Sequence, residues 1–155
     1  MAPSSPRSDK ELSLGALAQV VGYHLAQATV AATAAYERHI GEPLGLRKVE
    51  FSLLMLLLAN GPTPPKRLSQ TLALTAPALT VLIDRLERRG LVRRQRNPQD
   101  GRSQHIVLTE AGSKLSRHAA KTAPSLESAA SARLSRAEHA MLIELLCKMA
   151  GRTAP

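Results

Sequence analysis

Between Leu14 and Ile40, apolar residues return at 14, 17, 18, 21, 25, 28, 32, 35, 36 and 40. This three- and four-residue spacing marks one helix face held over about seven turns. Gly41 and Pro43 mark its expected end. Ala28, Ala31, Ala32, Ala34 and Ala35 would let another helix approach closely, so the stripe is either an internal core face or a subunit interface. "LRKVEFSLLMLLLANG" (46–61) is apolar almost all round from Phe51 to Ala59, the pattern of a central, buried helix, and Asn60-Gly61-Pro62 stops it. In "TPPKRLSQTLAL" (63–74), Thr63 can cap a short helix with Pro64 in its first position, and Leu68 and Leu72 share a face. "TAPALTVLIDRLERRG" (75–90) follows with Thr75 as N-cap, apolar positions at 78, 79, 82, 83 and 86, and Gly90 as its stop. Two short helices joined by a few residues form a helix-turn-helix pattern.

Two strand-length segments come next, "LVRRQRN" and "SQHIVLT", separated by the turn formers "PQDGR". Thr109 can cap the following helix, with Glu110 in its first turn. Pro124 and the Ser/Ala-rich stretch to Ala132 predict a kink or break there. "LSRAEHAMLIELLCKMAG" (134–151) opens on a Ser135-x-x-Glu138 capping box and carries Leu142, Leu145, Leu146 and Met149 on one side. The expected fold is mainly α with a small β-hairpin wing: a winged helix-turn-helix core flanked by N- and C-terminal dimerisation helices. The corresponding divisions are a polar, disordered arm over 1–11, an N-terminal helix over 12–45, the core over 46–112 and C-terminal helices over 113–155.

Composition narrows the function. Aromatic residues make up 2% of the 155, so the core must be built from Leu, Ala, Val and Ile, a mixture that favours helix. The single cysteine, Cys147, rules out an intramolecular disulfide and fits a reducing compartment. The opening "MAPSSPRSDKELS" has no apolar core of a signal peptide, and the longest apolar run is too short to span a bilayer. Together these suggest a cytoplasmic protein with no membrane partner. The net charge of +9 points to polyanions. From Asp84 to Arg102, seven arginines face three acids, so this segment carries four of the nine net charges. There is no glycine-rich phosphate loop, nucleophile elbow or paired-carboxylate motif, and no histidine has a partner at short ligand spacing. No catalytic residue, metal or cofactor is therefore assigned.

The stretch "LSQTLALTAPALTVLIDRLERRGLVRRQRNPQDGRSQHIVLTEAG" (68–112) resembles the MarR family of bacterial transcription regulators. "DRLERRGLV", the Asp-x-Arg of "DGR" and "LTEAG" stand in the family's order and spacing. The resemblance implies a homodimer with intertwined terminal helices that presents two winged helices to a pseudo-palindromic double-stranded operator. It implies DNA contacts from Thr75, Ala76, Ala78 and Thr80 at the head of the second helix. Lys66, Arg67, Arg85, Arg94 and Arg96 would add contacts, mostly to phosphate, and Arg93 is a further candidate. No Arg, Gln or Asn able to make a bidentate base contact precedes Arg85 in that helix, so methyl contacts and groove shape would carry much of the specificity. The resemblance places Arg102 at the wing tip in a minor groove, with Asp100 orienting Arg85 or Arg102. It also implies release by a small aromatic or phenolic effector, for which His24, Tyr36, His39, Arg47 and Phe51 are the candidate lining. Rival readings are a protein-interaction adaptor and a redox regulator acting through Cys147, which the leucine-rich last helix would bury.

Overall fold

The computed structural model describes residues 12–96 and 104–153. A short 3-10 turn, Gly15–Gln19, leads into α1, Val21–Tyr36. The expected continuous helix is interrupted at Val20, whose backbone is extended (φ −94°, ψ 103°). The end of the helix also lies later than Gly41 and Pro43 suggested. A π-type turn over Glu37–Gly41 passes into the single turn α2, Glu42–Leu44, and the chain leaves the helix at Gly45, in the left-handed region (φ 59°). The wider π register accommodates Pro43, which has no N–H to contribute.

Helix α3, Lys48–Asn60, is central as its sequence implied. Leu53, Leu54 and Leu57 are buried, and Gly61 closes it. The helix-turn-helix follows as α4, Pro65–Leu72, and α5, Ala76–Arg88, linked through Ala73 in a left-handed conformation (φ 53°). Thr63 does not cap α4, because Pro64 occupies the cap position. Thr63 instead pairs with the wing: its N–H donates to the Ile106 carbonyl at 3.1 Å and its own carbonyl accepts from Ile106 N–H at 2.9 Å. This isolated bridge gives the hairpin a third, one-residue strand.

The wing is β1, Val92–Arg96, antiparallel to β2, Gln104–Leu108, with Val92 opposite Leu108 and Arg94 opposite Ile106. Leu68, Leu79, Leu82, Ile83, Leu86, Val92 and Ile106 close over Leu53, Leu54 and Leu57 as one core, each fully buried side chain contributing about 1.5–3 kcal/mol of transfer energy. Helix α6, Glu110–Ala130, starts at the Thr109 cap, whose Oγ1 accepts from Gly112 N–H at 3.0 Å. It runs through Pro124 without a break, and the chain turns only at 131–134. Leu115 and Leu126, on either side of the proline, pack on the core, and this tertiary packing outweighs one missing helix hydrogen bond. Helix α7, Arg136–Met149, begins with the expected capping box. Ser135 N–H donates to the Glu138 carboxylate at 2.8 Å and, with the Ser135 hydroxyl beside it, holds that carboxyl below its ordinary pKa, while the hydroxyl oxygen accepts from Glu138 N–H at 3.3 Å.

The two ends of the chain keep apolar surface. Leu14, Leu17, Val21, Leu25 and Val30 are exposed before or along α1, and α7 buries none of its residues, leaving Met141 and Met149 about 60% exposed. Among the described residues no helix is long and apolar enough to cross a membrane.

Candidate nucleic-acid interface

The head of α5 is presented bare. Thr75 caps it, its Oγ1 accepting from Ala78 N–H at 3.4 Å. Thr80 donates its hydroxyl proton to the Ala76 carbonyl at 3.0 Å, which leaves its oxygen lone pairs outward as acceptors. Thr75, Ala76, Pro77, Ala78 and Thr80 are all exposed. Ala78 therefore belongs to this outer surface and not to the core stripe. Val81, one turn from Pro77, is 59% exposed and was missed by sequence reasoning. Its place off the stripe of Leu79, Leu82, Ile83 and Leu86 was the available signal.

Two ionic clusters fix the direction in which this helix points. The first is Glu50, 1% exposed on α3. Its carboxylate accepts from Arg89 at 3.1 Å and from the Arg47 N–H at 2.9 Å, and lies 3.9 Å from Arg85. The second is Arg94 on the wing, which bridges Asp84 at 2.5 Å and Glu87 on α5. Glu87 also accepts the Arg94 N–H at 2.8 Å. Arg94, expected at phosphate, is thus turned inward onto the helix by strand parity. Arg85, another expected DNA contact, is tethered to Glu50. Among the described residues the carboxylate beside Arg85 is Glu50. Asp100 and Arg102 lie outside the described residues. Lys66, Arg67, Arg93 and Arg96 are exposed.

Beside the winged helix, α1, α3 and α6 line an open cavity of about 250 Å³, with Thr33, Tyr36, Lys48, Phe51, Leu126 and Glu127 among its residues. Tyr36 and Phe51 meet edge to face with centroids 5.9 Å apart. The Tyr36 hydroxyl donates to the Leu46 carbonyl at 2.7 Å. Its pKa is pushed up to about 12, chiefly by burial and further by the negative charges of Glu37 and Glu50. The other three expected lining residues lie elsewhere. His24 donates to the Ala18 carbonyl at 3.0 Å and His39 to the Ala35 carbonyl at 2.9 Å. Arg47 borders a separate hollow against α5, with Val49, Ala78, Val81 and Arg85. The cation in the Tyr36 cavity is Lys48, which hydrogen-bonds Thr33. Cys147 is half-buried, not enclosed, because α7 has nothing packed over its apolar side in the single chain. Among the described residues no three His, Cys, Asp or Glu side chains gather as a metal site.

A capped, exposed second helix, a three-part wing pinned to it and helices flanking both ends define a winged helix-turn-helix regulator. The sequence pattern of the MarR family matches residues 46–104. A solved transcriptional repressor, CouR, bound to a 23-mer DNA duplex, is 30% identical, with a TM-score of 0.82 over 91% of this chain and 99% of that one. A probable transcriptional regulator from Pseudomonas aeruginosa is also 30% identical, with a TM-score of 0.78 over 86% and 98%. The chain belongs to the MarR family, a family of transcription regulators and not of enzymes. YkoM, an uncharacterised HTH-type regulator of Bacillus subtilis, is 37% identical over 68 residues, and the match spans only 44% of its length.

Proposed function

We propose that this protein is a homodimeric repressor that binds a pseudo-palindromic operator in double-stranded DNA and leaves it when a small aromatic or phenolic anion is bound. The observation that carries the DNA reading is the locked pair of α5 and the wing. Arg94, held by Asp84 and Glu87, joins them as one body, so the exposed Thr75–Val81 face can enter a major groove while the hairpin reaches the neighbouring minor groove. The repressor similar over nearly the whole chain was solved on a DNA duplex, which supports this docking. Lys66, Arg67 and Arg96 act at phosphate. Thr75, Ala76, Ala78, Thr80 and Val81 face base edges, mainly as small and methyl-bearing groups suited to thymine methyls. Segments 12–45 and 113–155 supply the dimer, and the cytoplasm, on the nucleoid, is the location such a function requires.

The three arginine classes separate in titrations against operator and scrambled duplex at several salt concentrations. Arg96→Ala should weaken both duplexes alike and lower the salt slope by about one. Arg102→Ala, at the wing tip, should cost about 1–3 kcal/mol on operator alone. Arg94→Ala should weaken operator binding without lowering the salt slope, because it frees the wing and removes no phosphate contact. Equal binding of all three variants and the parent would refute the reading.

The cavity beside Tyr36 suits the effector: Tyr36, Phe51 and Leu126 offer apolar walls, Thr29, Thr33 and Ser52 offer hydroxyls, and Lys48, its one cation beside the one carboxylate Glu127, can take an anionic group. Lys48→Gln should weaken binding of a hydroxybenzoate by about tenfold, the value of one charge-assisted contact, and raise by the same factor the concentration that releases operator. Calorimetry and competition with labelled operator give the two numbers. If the substitution leaves both unchanged, the effector sits elsewhere.

A further inference from the structure

A second hollow, of about 360 Å³, lies where the end of α3, the root of the wing and the first turns of α6 meet. Its lining is mixed: Leu58, Leu108 and the edge of Val107 form an apolar part, and Arg93, Gln95, Ser113 and Arg117 form a polar part of at least equal extent. The polar part follows from two periodicities. Arg93 and Gln95 are alternate residues of β1, on the face opposite Arg94, so Asp84 and Glu87 do not reach them. Ser113 and Arg117 stand four residues apart on α6, one above the other.

No carboxylate lines the hollow, and neither Arg93 nor Arg117 has an ion-pair partner among the described residues. None of the lining residues belongs to the exposed apolar surface at the two chain ends. Two guanidiniums from separate elements attract an oxyanion, and their planar forks match carboxylate or phosphate. A bare, hydrated anion would leave the apolar part unused. A ring-sized apolar body covers it, and the volume falls in the range of small-molecule pockets.

We propose that this groove between α3, the wing and α6 is a binding site for an aromatic oxyanion, distinct from the cavity beside Tyr36. The oxyanion lies between Arg93 and Arg117, with Gln95 and Ser113 completing its hydrogen bonds, and the ring rests on Leu58 and Val107. The ligand so placed bridges the wing to the long helix that leads to the dimer region.

Methyl-resolved NMR of the full-length protein, titrated in turn with 2-naphthoate, phenyl phosphate and inorganic phosphate, tests the site. The expected result is saturating shifts of the Leu58, Val107 and Leu108 methyls with at least one aromatic anion. Naphthoate and phenyl phosphate distinguish carboxylate from phosphate-ester chemistry. Arg93→Gln or Arg117→Gln, both surface changes, should each weaken this binding about tenfold. Lys48→Gln should leave it unchanged, since Lys48 lines the other cavity, where Leu126 is the reporter. The proposal is overturned if the groove methyls do not saturate in the millimolar range, if inorganic phosphate binds as well as the aromatic anions, or if the arginine variants bind like the parent.

Discussion

A Leu142→Asp, Leu146→Asp double variant should run as a single 16.6 kDa chain, where the parent is expected at twice that mass, and should lose operator binding. Both leucines are exposed on α7, which buries none of its own residues in the single chain. In a two-fold dimer each substitution occurs twice, so four carboxylates enter an apolar contact. At about 2 kcal/mol each, they remove about 8 kcal/mol, close to a millionfold in the dimer constant. The winged helix should stay folded, since its core lies in other elements, and circular dichroism checks this. Light scattering gives the mass and fluorescence anisotropy the operator affinity. A variant that stays dimeric, or a monomer that binds operator like the parent, would remove the chain ends from the account.

The second large effect is expected at Gly112, the glycine of "LTEAG". A Cβ built there would lie 1.9 Å from the Leu91 carbonyl oxygen and 2.8 Å from its carbon. The obstacle is backbone and is held in place: that same carbonyl accepts the Thr109 N–H at 3.1 Å, and the Thr109 hydroxyl donates to the Gly90 carbonyl at 2.6 Å. Neither the start of α6 nor the entry to β1 can yield without breaking this knot. Gly112→Ala should therefore cost about 3 kcal/mol, the upper end of the usual overpacking range, although alanine is the better helix former by about 1 kcal/mol. Denaturant melts measure it, with Ala111→Gly, at an exposed neighbour, as a control expected to lose only about 1 kcal/mol. Equal stability of Gly112→Ala and the parent would mean that α6 does not approach β1 so closely.

What could be read from the sequence was what is decided locally. Thr75, Thr109 and Ser135 are caps because a hydroxyl or amide within three residues decides the matter, and the hairpin follows from two strand-length runs around turn formers. Thr63 was misjudged because its partner, Ile106, is far along the chain, and only the folded core brings them together. Glu50 gave no signal of its own. A lone acid in a first helical turn reads as a cap, and its two arginines come from another helix. Lys48, not Arg47, enters the Tyr36 cavity because one residue along a helix is a rotation of about 100°, finer than an apolar pattern resolves near a helix start. Arg94 was expected at phosphate because it stands in a run of arginines, yet strand parity aims it at Asp84 and Glu87. Of the exposed surface at the head of α5, the positions of Thr75, Ala76 and Thr80 were legible from helix position, whereas Ala78 was counted with the core stripe and Val81 was passed over although it lies off that stripe.

The most direct test of the central claim is selection of bound sequences from a pool of random duplexes by the purified full-length protein, followed by titration of the enriched sequence. The account predicts a pseudo-palindrome with half-site centres about one helical turn apart, bound with an affinity that falls steeply with salt and far more tightly than scrambled duplex. Enrichment of no sequence, or of an isolated half-site bound by a monomer, would contradict it.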